Sequence, residues 1–324
     1  MSRPERILIT GCAGFVGSYL AERCRKRYPD AELFGLYNRR APQQLSLGLE
    51  GVEWLQADIL RVDHVRKVVA DTRPDVIFHL AAQSSVAVSW SDPVYTLQVN
   101  ACGTLHLLEA ARRECPAARV VLVGSAEQYG AVKPHENPIR EEQELMPTNP
   151  YAISKVAQDR YGQQYFAAYG LPVIRVRSFN HFGPRQADAF VLASFARQIA
   201  QIEAGKSEPV VRAGNLQIRR DFLPIEDAIA AYLAVGERGQ PGEAYNVGSG
   251  QAHSIGMILA LLLSFAHRPI RVCQDAALMR PMDIPVLEAD ISRIQAHTGW
   301  RPMKPFEVAL EELLDYWRGV VQSM

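Results

Sequence analysis

Cysteine is sparse and nowhere grouped. Five cysteines stand at positions 12, 24, 102, 115 and 273 of 324 residues, and no C-x-x-C pair occurs. An odd, scattered set excludes a disulfide framework and offers no thiolate metal site. It points to a reducing compartment, the cytoplasm, and no metal is expected. Net charge is missing too, with 35 Lys and Arg against 35 Asp and Glu. Without a basic field, neither nucleic acid nor an anionic membrane is an expected partner. Long apolar runs are absent: the greasiest stretch, 257–265, falls far short of the roughly 20 residues that cross a bilayer. The first strand pattern begins at residue 6, so no secretory leader is expected ahead of it. There is no internal repeat or low-complexity tract. What remains, 48% hydrophobic and 22% charged, is ordinary globular composition.

Short apolar runs alternate with helical patterns. Residues 6–10, 32–37, 52–57, 75–80, 119–124 and 172–177 read as strands, rich in Val, Ile, Leu or Phe without alternation. That is how strands covered on both faces look. Helical periodicity fills the gaps at 14–27, 63–71, 93–113 and 149–169. This order predicts parallel βαβ units in a doubly wound α/β sheet. The rhythm changes after residue 180. Helices are expected at 189–204, 226–236, 255–266 and 305–320, with short extended pieces at 208–213, 221–223 and 243–247. We therefore expect a dinucleotide-binding Rossmann domain over 1–180, joined by a returning segment near 221–250. A smaller, interleaved α+β substrate domain is expected over 181–324.

The first strand runs into Gly11-Cys12-Ala13-Gly14-Phe15-Val16-Gly17 and then a helix. Gly11 permits the tight turn, Gly14 lets a pyrophosphate approach the backbone, and Gly17 lets helix and strand pack closely. The helix amides, those of Phe15 and Val16 among them, face the phosphates. Past the second strand, a carboxylate would bind the ribose of NAD; here stand Asn38, Arg39 and Arg40. Two guanidinium groups suit a 2′-phosphate, so NADP(H) is favoured, with NAD(H) not excluded. Asp58, beside Ile59 at the end of the third strand, is placed for the adenine amino group.

Tyr151 and Lys155 are four apart on a predicted helix and so share one face. A nearby ammonium is expected to lower the phenol's pKa, letting the pair exchange a proton with a carbonyl and its alcohol. The fifth strand ends in Ser125-Ala126-Glu127, at the sheet edge where open α/β folds bind ligands. Ser125 can donate to the same oxygen as Tyr151. Glu127 is a candidate base or a ligand for sugar hydroxyls.

Together the glycine loop, Ser125, and Tyr151 with Lys155 resemble the extended short-chain dehydrogenase/reductases, in their nucleotide-sugar-modifying branch. The likeness covers nearly the whole chain, including His79-Leu80-Ala81-Ala82-Gln83 and Asn100. It implies that Leu80, Ala81, Ala82, Gln83, Asn100 and Phe179 line the cofactor. It assigns Ser84, Ser85, Asn180, Val191, Arg220, Arg280 and Asp283 to the nucleotide sugar. In relatives the helices at 93–113 and 149–169 pair across a dimer axis, which implies a homodimer. Residues 177–184, 190–199 and 214–220 are most similar to family members that reduce the 4-keto group of GDP-4-dehydro-6-deoxy-D-mannose to GDP-D-rhamnose. A GDP-sugar substrate follows by that resemblance. A GDP-mannose 4,6-dehydratase, which needs a carboxylate where Glu127 stands, remains an alternative, as do a 4-epimerase and a non-catalytic dinucleotide sensor. His79 and His181 read more naturally as hydrogen-bonded structural histidines than as acids.

Overall fold

The computed structural model describes residues 3–38, 49–279 and 284–324. The first part contains β1 (Arg6–Thr10), α1 (Phe15–Arg27), β2 (Glu32–Tyr37), β3 (Val52–Gln56), α2 (Val62–Thr72) and β4 (Val76–His79). Then come α3 (Val86–Ser91), α4 (Pro93–Leu97), α5 (Gly103–Glu114), β5 (Arg119–Val123), α6 (Pro150–Tyr169) and β6 (Val173–Ser178). The remainder holds β7 (Asn180–Phe182), α7 (Val191–Glu203), β8 (Val210–Ala213), β9 (Arg219–Pro224), α8 (Ile225–Arg238) and β10 (Ala244–Val247). It ends with β11 (Ala252–Ser254), α9 (Ile255–Ser264), β12 (Arg271–Gln274), β13 (Val286–Leu287), α10 (Ser292–Thr298) and α11 (Phe306–Gln322).

Seven strands form a wholly parallel sheet in the order β10-β6-β5-β4-β1-β2-β3. Every residue of β4 and β6 is buried, because helices cover both faces. One covering layer packs Val65, Leu107, Leu108 and Tyr165 of α2, α5 and α6. The other packs Leu20, Ile229, Tyr232 and Ile294 of α1, α8 and α10. Strand order reverses between β1 and β4, which opens a crevice at their carboxyl ends.

After β6 the chain leaves this sheet, pairs β7 with β9, and returns through α8 to add β10. It leaves again to place β11 and β13 on either side of β9, antiparallel and parallel. A separate core joins α7, α9 and α11 through Phe195, Ile199, Ile258, Leu310 and Leu314. The fold is therefore the expected doubly wound sheet with a smaller, interleaved α+β part. Among the described residues no helix is long and apolar enough to cross a membrane.

One of the expected helices is interrupted. The single helix read over 93–113 is two α-helices joined by a π-turn at Gln98–Cys102. Such a turn accommodates one extra residue, and it occurs often at functional sites. Here it falls on Asn100, which is buried and bonded at both ends of its side chain.

Candidate active site

The glycine loop sits at the crevice. Gly11 has φ +69°, and a Cβ there would lie 2.8 Å from the amide of Ala81. A Cβ on Gly17 would lie 2.3 Å from the carbonyl oxygen of Gly11. Only glycine lets the loop fold back this tightly onto strand and helix. Helix α1 begins at Gly14 without a side-chain cap and without an acid in its first turn. Its leading amides and dipole are thus arranged to receive phosphate. These features fit a dinucleotide. Asn38 is exposed, its carbonyl accepting from Gln56 at 3.1 Å. Asp58 is half-buried and accepts from the amide of Leu60. Ile59 is buried, and its carbonyl accepts from His106. Arg39 and Arg40 lie outside the described residues.

A neutral network braces the loop after β4. The His79 ring bonds Thr10 Oγ1 at 2.7 Å and Thr104 Oγ1 at 2.9 Å. Burial, helped by the Lys155 charge, pushes His79 down to about 3, so the ring is neutral. Thr10 Oγ1 also accepts from the amide of Ala81. Asn100 donates to Gln83 O and to Ser154 Oγ, and accepts from the Gln83 amide at 2.8 Å. Its amide is therefore spent on holding the loop that carries Leu80, Ala81, Ala82 and Gln83 against α6. Ser85 Oγ caps α3 by accepting from Val88, while Ser84 is exposed.

Ser125, Glu127, Tyr151 and Lys155 come together where β5 ends and α6 begins. The Ser125 hydroxyl accepts from the Glu127 amide, which turns the chain tightly. Asn149 was not singled out from sequence, yet it links the group. Its Oδ1 caps α6 by accepting from Ala152 at 2.8 Å, and its Nδ2 donates to Glu127 Oε2 at 3.2 Å. Burial pushes the Tyr151 phenol up to about 12; Ser125 opposes this and the Glu127 charge adds to it. This corrects the expectation that Lys155 lowers the phenol. The Lys155 ammonium is turned elsewhere: it donates to Val123 O at 3.0 Å and to Gln158 Oε1 at 2.7 Å. Burial brings Lys155 down to about 7.

One turn further along α6, Asp159 meets two arginines of β6. Its carboxylate accepts from Arg175 at 2.7 Å and from Arg177 at 3.0 Å. Arg177 also donates to Tyr129 Oη and to Glu141 O. Burial works to raise the Asp159 carboxyl, but Arg177 and Arg175 hold it below the ordinary carboxylate value.

Past β6, Phe179 is buried against Tyr129, and Asn180 is exposed at the start of β7. His181 stacks on Phe15 with ring centroids 6.0 Å apart; burial brings it down to about 4. Val191 is exposed at the first turn of α7. Arg220 is buried in β9, donating to Arg219 O and to Ile284 O. Arg280 and Asp283 lie outside the described residues. A cavity of about 660 Å³ lies at the opposite, amino-terminal ends of β1 and β4. Its rim includes Arg27, Tyr28 and Glu237, which bond one another, so it is remote from this chemistry.

Comparison with known proteins agrees with this geometry. Residues 8–313 match the family model described as GDP-mannose 4,6 dehydratase. The chain is 33% identical over 319 residues to a GDP-6-deoxy-D-mannose reductase of Pseudomonas aeruginosa, covering 98% of this chain and 99% of that one. It is 32% identical to GDP-mannose 4,6 dehydratase 2 of Arabidopsis thaliana, covering 96% of this chain and 87% of the relative. The solved structure of RMD from Pseudomonas aeruginosa complexed with NADPH superposes with a TM-score of 0.81 and 31% identity, over 97% of this chain and 99% of that one.

Proposed function

The chain belongs to the GDP-mannose 4,6 dehydratase family of extended short-chain dehydrogenase/reductases, and on that premise we propose that it is an NADPH-dependent 4-ketoreductase. It reduces GDP-4-dehydro-6-deoxy-D-mannose to GDP-D-rhamnose. The observation that carries the reading is the Ser125–Tyr151 hydrogen bond with Lys155 one turn along the same helix, in a chain whose first helix starts uncapped on a glycine loop. The similarity to a GDP-6-deoxy-D-mannose reductase over almost the full chain supports the substrate.

The dinucleotide is held by the Gly11–Gly17 loop, the α1 amides and the loop after β4, and when bound it supplies hydride. NADH is accepted less well if Arg39 and Arg40 clamp a 2′-phosphate. Tyr151, kept protonated by burial, donates its proton to the C4 oxygen of the sugar as the alcohol forms. Ser125 donates a hydrogen bond to the same oxygen and so favours its developing charge. Lys155 orients the nicotinamide ribose. Glu127, held by Asn149, accepts from sugar hydroxyls. Asn180 and Arg220 meet the diphosphate, with Arg280 and Asp283 completing the nucleotide site and Val191 beside the base. We take 1–180 with the returning segment near 221–250 as the cofactor domain and 181–324 as the sugar domain. The exposed apolar side chains Val94, Leu97, Ile153 and Tyr161 on α4 and α6 support a homodimer built on this face. The five free cysteines suit the cytoplasm.

A second reading is a dehydratase, because Glu127 lies close enough to Tyr151 for its charge to act on the phenol. Absorbance of NADPH separates the two. Oxidation with enzymatically prepared GDP-4-dehydro-6-deoxy-D-mannose, and none with GDP-mannose, is the expected result. Conversion of GDP-mannose to a keto sugar without net NADPH oxidation overturns the reductase reading.

A further inference from the structure

Lys155 is 3% exposed and Gln158 is 1% exposed, so their contact is made away from water. An ammonium has three N–H donors and no acceptor. Two of the three are committed, one to Val123 O at the end of β5 and one to Gln158 Oε1 a turn along α6. The two acceptors belong to elements fixed by the sheet and by the helix. They leave a single direction for the remaining N–H.

We propose that Gln158 is a positioning residue for Lys155: its amide oxygen, together with the Val123 carbonyl, aims the third ammonium proton at the cofactor ribose. This deepens the functional reading above and rests on it for the identity of the ribose. An amide oxygen also favours the charged form of the amine it accepts from, against a burial that disfavours it. Other titratable groups around Lys155 do not supply that balance. His79 from β4 is neutral. Tyr151 on the same helix is held protonated. Asp159, the next acid along α6, is consumed by Arg175 and Arg177 of β6. Glu127 beyond β5 is engaged by Asn149. Tyr129 bonds Asn246 and Arg177.

The test is the titration of the Lys155 ¹³Cε resonance in the free protein, assigned by its loss in Lys155→Met. In Gln158→Leu the amine loses an acceptor, and its midpoint is expected to fall by about one to two pH units. In Gln158→Glu a carboxylate replaces the amide, and the midpoint moves the other way. The alkaline limb of NADPH affinity, read by fluorescence titration, follows in the same two directions. A merely structural disturbance moves both variants alike. Midpoints that coincide with the wild type, or that move in one common direction, overturn the proposal. Thermal melts confirm folding, and Gln158→Met replaces Gln158→Leu if the latter does not fold. Failure of the wild type to bind NADPH overturns the cofactor reading alone, because the Lys155 titration needs no cofactor.

Discussion

Helix α6 carries two buried charged centres one turn apart, and they are built on opposite principles. At Asp159 the charge is surrounded by opposite charge: two guanidinium groups bind it, and one of them is further tied to Tyr129 and Glu141. At Lys155 the charge has neutral partners only, a backbone carbonyl and an amide. Burial is equal, and the outcome is not. The first carboxylate stays ionised and fixes α6 to β6. The second group is brought to about 7, where it can gain or lose its proton under ordinary conditions. Paired burial makes a scaffold, and unpaired burial makes a titratable tool.

The comparison breaks most visibly at Asp159. Asp159→Asn leaves two buried guanidinium groups without their counter-charge. We expect a loss of about 3–5 kcal/mol in stability, measured by urea unfolding. A loss below about 1 kcal/mol sinks the scaffold assignment. The opposite pole is Tyr151→Phe. Here kcat is expected to fall about 10²- to 10⁴-fold, with melting temperature unchanged or raised. An unchanged kcat removes Tyr151 from the chemistry. Between the poles stands the uncharged brace at Asn100. Asn100→Ala strands both backbone groups of Gln83 and takes a donor from the Ser154 hydroxyl, which keeps its bond to Tyr151 O. It should cost about 1–3 kcal/mol and weaken NADPH binding together with stability. A stability loss with wild-type NADPH affinity means that the brace serves the fold alone.

Sequence pattern made one of these poles visible and hid the other. Six of the seven parallel strands were legible because most are continuous apolar runs, and the phosphate loop because glycine spacing and its place between strand and helix coincide; the seventh, β10, was read only as a short extended piece. Tyr151 and Lys155 stood out by their helical spacing and by resemblance. Asp159 and Gln158 follow directly on the same helix and carried no signal. Their roles come from partners that only folding brings near: Arg175 and Arg177 for Asp159, the Lys155 head group for Gln158. Asn149 was read only as the start of a helix, and nothing local to it announces a bond to Glu127. The π-turn at Gln98–Cys102 was invisible for a different reason. A one-residue slip within a helix leaves the composition helical and blurs the periodicity only slightly. The strands β7, β11 and β13, of three, three and two residues, are too short for alternation to register.

The sharpest form of the comparison is also the smallest in energy. Lys155→Met should abolish turnover while making the protein more stable at low pH. The sign follows from the depressed pKa. Below about 7 the folded protein carries the buried ammonium and bears its full desolvation cost. Between about 7 and the ordinary value of 10.5, folded Lys155 sheds a proton that the unfolded chain retains, so wild-type stability rises with pH. Methionine removes the charge at every pH, but it leaves Val123 O and Gln158 Oε1 without their donor, which offsets part of the gain. A net stabilisation of about 1 kcal/mol at pH 6 is therefore expected, reversing in sign by pH 9. Paired urea melts at the two pH values read it directly. A variant destabilised equally at both would mean that Lys155 is held as firmly as Asp159, and the contrast between the two centres would be gone.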